Sequence, residues 1–204
     1  NGSEVLLKLS PMVDIAYLLK TFNHIKQVFV VGFKNEVKEV LVLLNNQSKT
    51  DVNNIEAVQV NEDGEVEFSF LPNKCVPIPI SSIGNQFFYE PSNMLIKAGL
   101  SGDYAMHCGL NLVAKNSHYA TGGFVDAYFG RCFHVIHHGN FNKAGLKQYL
   151  KQHQITKANI SARNFVSSVE DIRKTFAIED GGGDYLFFTQ DAGKNKLFWH
   201  CRKH

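Results

Sequence analysis

Three apolar runs and one helical pattern organise the first 71 residues. Residues 5–9 are apolar almost throughout, and residues 27–32 and 37–44 form two longer runs. Such runs predict strands. Between the first two runs, apolar residues recur at the spacing of one helix face, which predicts a helix over residues 14–22. These positions are Ile15, Leu18, Leu19 and Phe22. A strand, a helix and a pair of strands in this order indicate a mixed sheet.

The two longer runs lack the alternation of a strand that has one solvated face. Continuous apolar strands are typical of a sheet that helices cover on both sides. Residues 1–71 predict only one helix, so the other covering elements must come from elsewhere. Asn1 is not an initiator methionine, and the first strand begins within a few residues of it. We therefore expect this chain to be the C-terminal part of a longer polypeptide.

Residues 126–204 carry the clearest pattern in the chain. They predict the order strand, helix, strand, helix, strand, strand. The strands are expected at residues 133–138, 158–164, 185–190 and 196–202. This order predicts an α+β domain of two layers, with both helices on one face of the sheet.

Local capping signals mark both of these helices. Phe141, Asn142 and Leu146 have the spacing of an N-cap with a hydrophobic staple, and Ser167 followed by Glu170 matches a capping box. The glycines at 181–183 follow the second helix and precede a strand, whereas a nucleotide-binding loop needs the reverse order. We interpret this glycine run as the end of the helix and a loop.

Three prolines disfavour helix and central strand just after residue 71. They are Pro72, Pro77 and Pro79. Residues 92–108 then carry a weaker helical pattern, which two glycines interrupt. The sequence therefore divides into three parts, at residues 1–71, 72–125 and 126–204.

Composition and charge fit an ordinary globular protein. Hydrophobic residues make up 44% of the 204 residues, and the formal net charge is +2. No strong global field indicates a nucleic-acid or membrane-surface protein, so any basic site must be local. Neither a membrane span nor a secretory signal is visible. The cysteines form no Cys-x-x-Cys pair, which favours free thiols in a reducing cytoplasm. They are Cys75, Cys108, Cys132 and Cys201.

The sequence predicts no metal site and no catalytic constellation. Cys132, His134 and His138 would share one face of a strand, but residues two and four apart along a strand project about 7 and 13 Å apart. They cannot all meet one ion without help from other residues. No serine or cysteine nucleophile lies in a recognisable elbow.

Polar side chains on the strand over residues 158–164 form a candidate binding surface. Alternation places them on one face of the sheet, opposite the apolar residues. They are Asn159, Ser161 and Arg163. Lysines also recur every four residues along the preceding helix, in a stripe that could follow phosphates. They are Lys143, Lys147 and Lys151. A solvated helix face would show the same stripe, and this alternative stays open.

Six short motifs resemble, in this order, a bacterial family of class I S-adenosylmethionine-dependent methyltransferases with a THUMP-like C-terminal domain. They lie at residues 7–15, 30–39, 89–93, 97–99, 162–165 and 182–187. The resemblance spans nearly the whole chain. It implies that residues 1–71 are the last strands of a Rossmann-like methyltransferase domain, that 72–125 form a small ferredoxin-like segment, and that 126–204 form the THUMP-like domain.

The resemblance also implies a division of labour. In that family, an N-terminal domain holds the glycine-rich cofactor loop, the acidic residue for the ribose and an Asp-Pro-Ala-Arg type motif. None of these is present in the chain. S-adenosylmethionine is therefore expected to bind the missing N-terminal half of the parent enzyme, and this chain alone should be inactive.

By the same resemblance, this chain would supply RNA recognition, with tRNA or rRNA as the partner. The residues expected to contact phosphate or an unstacked base are Lys143, Lys147, Lys151, Asn159, Ser161, Arg163, Asn164 and Phe165. The alternative is a non-catalytic structural or protein-interaction module whose basic stripe is only solvated surface.

Overall fold

The computed structural model describes residues 3–50, 54–72, 80, 86–126 and 128–203. The chain folds as two compact units. The first consists of Asn1–Pro77, Pro91–His107 and Ala127–Arg131, and the second of Ile78–Glu90, Cys108–Asp126 and Cys132–His204. The region 72–125 therefore contributes residues to both units. The division at residues 71 and 125 stays a prediction, and Cys75, Pro77 and Pro79 lie outside the described residues.

The first unit contains a mixed sheet, as the apolar runs predict. Its strands are β1 (Glu4–Leu9), β2 (Ile25–Phe33), β3 (Glu36–Asn45), β4 (Ile55–Val60) and β5 (Val66–Phe70). They lie in the order β1-β3-β2-β4-β5. The β2–β4 pair is parallel and the other pairs are antiparallel.

Three short helices accompany this sheet: α1 (Ile15–Thr21), α2 (Asn93–Ala98) and α3 (Ser101–His107). The Asp14 side chain caps α1 by accepting a hydrogen bond from the backbone N–H of Tyr17. The single helix that the sequence predicts over residues 92–108 is in fact two helices. The break falls at Gly99, whose φ of 75° ends α2, because glycine adopts this left-handed conformation without a steric penalty.

One face of the first sheet is buried, and the opposite face is partly exposed. On one face Val28, Val30 and Val40 are fully buried, and Met94 of α2 packs against β2. A Cβ atom at Gly32 would lie only 2.3 Å from the Sδ atom of Met94, so the glycine permits this close approach. The opposite face forms an open apolar groove of about 490 Å³, where Leu6 is 58% exposed.

The second unit contains a seven-stranded sheet. Its strands are β6 (Phe87–Pro91), β7 (Asn111–Leu112), β8 (Ala120–Gly122), β9 (Gly130–Asn140), β10 (Lys157–Ala162), β11 (Glu179–Gln190) and β12 (Lys196–Lys203), and its helices are α4 (Lys143–Gln152) and α5 (Val169–Phe176). The strands lie in the order β10-β11-β12-β9-β6-β8-β7. The series β9, α4, β10, α5, β11, β12 confirms the predicted order.

Separate cores form on the two faces of this second sheet. Leu146 of α4 and Ile172 of α5 pack on one face against Leu186 and neighbouring apolar residues, so both helices cover the same face, as predicted. On the other face Phe88 and Tyr119 pack with further aromatic residues. They come from β6 and from the loop before β8. The face of the sheet opposite the two helices is therefore covered by other segments of the same unit.

The helix starts confirm one capping prediction and correct the other. The Asn142 side chain accepts a hydrogen bond from the N–H of Gly145 at 2.6 Å, as expected for the N-cap of α4. The capping box of α5 uses Ser168 with Asp171, not Ser167 with Glu170. Both serines have an acidic residue three positions on, so the sequence alone could not select the pair.

The interpretation of glycines 181–183 as the end of the second helix was wrong. The helix α5 ends at Ala177, which adopts the left-handed conformation, and the glycines lie inside β11. In the β10–β11 ladder Ala158 lies opposite Asp180, whereas Asn159 lies opposite Tyr185. The intervening residues of β11 therefore form a bulge, and positive φ values at the first two glycines allow it.

Candidate nucleic-acid interface

Three lysines of α4 form an exposed positive stripe. Lys143, Lys147 and Lys151 are all exposed, whereas Leu146 and Leu150 of the same helix are buried in the core. Within the described part of the chain, none of the three lysines has an ion-pair or hydrogen-bond partner through its side chain. Their charge is therefore available to an anionic partner.

Asn159 is engaged by the bulge in β11. Its side-chain amide donates to the carbonyl oxygen of Gly182 at 2.9 Å and to that of Asp184 at 3.3 Å. The ladder between β10 and β11 is interrupted at the bulge, and the amide supplies a donor to two backbone carbonyl groups there. In this structure Asn159 therefore satisfies the backbone of the bulge.

Ser161 and Arg163 belong to a half-buried polar network. The Ser161 hydroxyl donates to Oε1 of Glu90 at 3.1 Å and lies 2.7 Å from the Tyr119 hydroxyl. An Nη atom of Arg163 lies 3.4 Å from the same Glu90 oxygen, and the guanidinium lies over the Tyr119 ring. The Glu90 side chain is only 7% exposed. The network therefore joins β10 to β6 inside the second unit.

Asn164 and Phe165 follow the end of β10 and have different environments. The Phe165 ring contacts Phe141 and Phe188, with ring centroids 5.1 and 5.5 Å apart, and it packs against the core under the helices. Asn164 is exposed and lines a cavity together with Lys115 and Lys194. The eight predicted residues are therefore not one continuous surface.

A hydrogen-bonded chain that the sequence did not reveal runs from α4 into the sheet. The Tyr149 hydroxyl lies 2.8 Å from Nδ1 of His200, and Nε2 of His200 lies 2.9 Å from Asp184. Arg202 donates to the same Asp184 oxygen at 2.8 Å. The rings of His137 and His153 pack against the Tyr149 ring, with centroids 4.6 and 4.3 Å away.

Burial and neighbouring charges shift the titration of this chain. Burial lowers the pKa of His200, and the hydrogen bond to Asp184 opposes only part of that effect. Burial alone would raise the pKa of Asp184, but the hydrogen bonds from Arg202 and His200 outweigh it and lower that pKa. Burial, together with the positive fields of nearby histidines, also lowers the pKa of His137. These groups form a hydrogen-bonded network between α4 and the sheet.

One contact of this network, between Asp184 and Arg202, could have been predicted from the sequence. If the strands predicted over residues 185–190 and 196–202 pair as a hairpin, their near ends place Gln190 opposite Lys196, and counting back along the two strands places Asp184 opposite Arg202. The structure has this register. An acidic and a basic residue directly opposite each other predict a cross-strand pair. The contact of Tyr149 with His200 could not be found this way, since it depends on how α4 lies on the sheet.

The glycines at residue 122 and at residues 181–183 lie in strands and do not have the arrangement of a loop for S-adenosylmethionine. A cofactor loop needs glycines between a strand and a helix, but glycines 181–183 form a bulge within β11. Gly122 lies in β8, and a Cβ atom there would meet the Leu110 side chain at 2.5 Å. Its role is therefore packing. Among the described residues, no group of three or more potential metal ligands comes together.

Two further features concern cysteines and helices. Cys108, Cys132 and Cys201 are free thiols, as the spacing of the cysteines predicts. In the part of the chain that the structure describes, no helix combines the length and hydropathy needed to cross a membrane.

The C-terminal elements match a known family. The model of the family described as "THUMP domain-like" matches residues 130–203. This range begins with β9 and ends with β12, so it covers the βαβαββ series that carries the lysine stripe. No match to this chain was found among curated proteins.

A solved structure resembles the chain over almost its whole length. It is the crystal structure of a "putative methyltransferase from Porphyromonas gingivalis W83", with a TM-score of 0.84 and 31% sequence identity. The match covers 98% of this chain but 51% of that protein. The chain therefore spans about half the length of the methyltransferase structure that it resembles.

Proposed function

We propose that this chain is the RNA-recognising, C-terminal part of an S-adenosylmethionine-dependent RNA methyltransferase. The observation that carries the proposal is the coincidence of two features in residues 130–203. These residues match the THUMP domain-like family, and they hold the three exposed lysines of α4. The similarity to a protein described as a methyltransferase supports the enzymatic context.

In this proposal the lysine stripe contacts the RNA backbone. Lys143, Lys147 and Lys151 lie about 6 Å apart along the helix axis, which is close to the spacing of phosphates along a single strand. Phosphate contacts of this kind are electrostatic and weaken as salt rises. The partner RNA is tRNA or rRNA. The protein is placed in the cytoplasm, because its free thiols fit a reducing compartment.

Methyl transfer would belong to a part of the enzyme outside this chain. S-adenosylmethionine supplies the methyl group when bound there, and the residues described above contribute recognition only. The protein from Porphyromonas gingivalis has room for such a part, since the match leaves 49% of it uncovered. We expect the 204-residue chain alone to show no methyltransferase activity.

The open groove of the first sheet is the surface on which this missing half would pack. Its lining includes Phe29, Val31, Leu41 and Val58, and Val66 at its edge is 65% exposed. Proteins seldom leave such a continuous apolar face in water. Because the opposite face is already covered, helices from the methyltransferase half would complete a sheet buried on both sides.

This same groove favours the second candidate function, a protein-interaction module without an RNA partner. Apolar contacts of a sheet face persist at high salt, whereas phosphate contacts do not. The two candidates therefore differ in their response to ionic strength.

The test is a titration of fluorescently labelled tRNA and rRNA fragments with the purified chain at several salt concentrations. The proposal predicts weak binding that falls steeply between about 50 and 200 mM salt. In the same samples, labelled S-adenosylmethionine should give no methyl transfer. An absence of RNA binding at low salt, together with a protein partner retained at high salt, would select the interaction module. Methyl transfer by this chain alone would contradict the proposed division of labour.

A further inference from the structure

A polar cavity of about 320 Å³ lies beside the turn between β11 and β12. Its polar lining comes from three segments that are distant in sequence: the stretch after β7, the stretch after β10 and the hairpin turn itself. The side chains are Lys115, Asn116, Asn164, Gln190, Asp191 and Lys194. All of them belong to the second unit. The volume falls at the lower end of the range for small-molecule sites, about 300–1,000 Å³.

The charges around this cavity favour an anion. The carboxylate of Asp191 is occupied by the turn, where it accepts hydrogen bonds from the Asn195 backbone N–H at 2.8 Å and from the Asn195 amide at 2.9 Å. Lys115 and Lys194 have no such partner among the described residues. Two free ammonium groups thus face one carboxylate that is already bound, and a phosphate would be attracted to them.

The amide groups around the cavity add a different kind of recognition. Asn116, Asn164 and Gln190 each carry a hydrogen-bond donor and an acceptor, and no described residue engages their side chains. Such a mixed set suits the edge of a nucleobase, which also presents donors and acceptors.

We propose that this cavity binds a single nucleotide. Its phosphate would lie at Lys115 and Lys194, and the edge of its base at the amides of Asn164, Asn116 and Gln190. The proposal rests on the RNA-binding function above when the nucleotide is part of an RNA strand. A free mononucleotide offers the same chemistry, and the experiment separates the two sources.

The cavity and the lysine stripe would then have different roles. The stripe of α4 lies on an exposed helix surface, so it holds the backbone without reading a base. The cavity combines phosphate and base contacts, so it selects among nucleotides.

The first arm of the test measures RNA affinity. The double variant Lys115→Gln/Lys194→Gln should bind a short single-stranded RNA about tenfold more weakly, with the slope of log K against log salt reduced by about 0.7 per lost phosphate contact. Asn164→Ala should weaken binding without changing that slope. The matched control is Lys20→Gln/Lys174→Gln, which removes the same charge from two exposed lysines outside the cavity. Unchanged melting curves show that the variants fold.

The second arm titrates the chain with adenosine and uridine 5′-monophosphate. The side-chain amide NMR signals of Asn116, Asn164 and Gln190 should shift as the mononucleotide is added, until the site is saturated. Those shifts should vanish in the double lysine variant. RNA binding in which the cavity and control variants behave alike, with no mononucleotide shift, would overturn the cavity and leave the proposed function standing. Saturable mononucleotide shifts without RNA binding would assign the cavity to a free nucleotide and overturn the RNA-binding function instead.

Discussion

The hydroxyl of Tyr149 lies 2.8 Å from Nδ1 of His200, and this contact fixes the state of the histidine. The other ring nitrogen lies 2.9 Å from the carboxylate of Asp184, which can only accept a hydrogen bond when ionised. Nε2 must therefore carry a proton, and in the neutral ring Nδ1 accepts from the tyrosine. His200 is almost fully buried, so the helix α4 supplies the donor that this nitrogen cannot obtain from water.

Removal of that donor should destabilise the second unit. Tyr149→Phe leaves Nδ1 of His200 buried without a donor, which costs about 1–2 kcal/mol. Urea unfolding followed by fluorescence measures the loss. Tyr17→Phe is the control, because Tyr17 is 63% exposed and should lose less than about 0.5 kcal/mol. An equal effect of both substitutions would show that the contact contributes nothing.

The histidines around Tyr149 should make the fold sensitive to mild acid. The pKa values of His137 and His200 lie below the ordinary value of 6.5, so the unfolded chain takes up protons more readily than the folded one. Stability should therefore fall as the pH drops through and below 6.5. The pKa of Asp184 is lowered, so this carboxylate stays ionised in the same pH range and its contribution to stability does not change.

Urea midpoints between about pH 7.5 and 5.5 test this dependence. The variant His137→Gln should flatten the curve, since one of the depressed groups is gone. A midpoint that is constant or rises as the pH falls would contradict the lowered pKa values of His137 and His200.

Close packing at Gly32 predicts a steric effect in the first unit. A Cβ atom there would lie 2.3 Å from the Met94 Sδ atom and 2.9 Å from the backbone oxygen of Glu36. Met94 is fully buried and the backbone cannot yield, so Gly32→Ala should cost about 1–3 kcal/mol. Gly123→Ala is the control, because no atom lies within 4 Å of its Cβ position. Thermal melts measure both variants. A lower melting temperature for Gly123→Ala than for Gly32→Ala would show that Gly32 is not closely packed against Met94.

The half-buried pair of Glu90 and Arg163 predicts a charge effect. Glu90→Gln leaves the guanidinium without its counter-charge, and we expect a loss of about 2–3 kcal/mol. Arg163→Met added to that variant should recover part of the loss, because the guanidinium that lost its counter-charge is then removed. The exposed pair of Lys34 and Glu62 supplies the control, and Glu62→Gln should change stability by less than about 1 kcal/mol. Denaturant unfolding that finds no recovery in the double variant would count against the pair.

Local signals predicted the elements of the fold well. Asn142 and its neighbours identified the start of α4, since a cap and a staple involve residues within one turn. Where two local solutions had the same signature, the sequence could not choose. Ser167 and Ser168 both fit a capping box, and the glycines at 181–183 fit both a helix end and a strand bulge.

Contacts between distant segments explain why the candidate site was only partly predicted. The alternation along β10 correctly placed Ser161 and Arg163 on one face, but it gave no indication that Glu90 and Tyr119 cover them. Their partners lie about 40 to 70 residues away in sequence. The lysine stripe of α4 could be predicted from helical periodicity alone, and the three lysines are exposed in the structure.

The proposed function depends above all on contact between the lysine stripe of α4 and RNA phosphates. The most direct measurement compares the salt dependence of RNA binding by the unmodified chain and by Lys143→Gln/Lys147→Gln/Lys151→Gln. Three lost contacts should lower the slope of log K against log salt by about 2. The control Lys20→Gln/Lys49→Gln/Lys174→Gln removes the same charge from exposed lysines elsewhere and should keep most of the slope. Identical slopes for the two triple variants would mean that the stripe is only a solvated helix face, and would contradict the proposed contact with RNA.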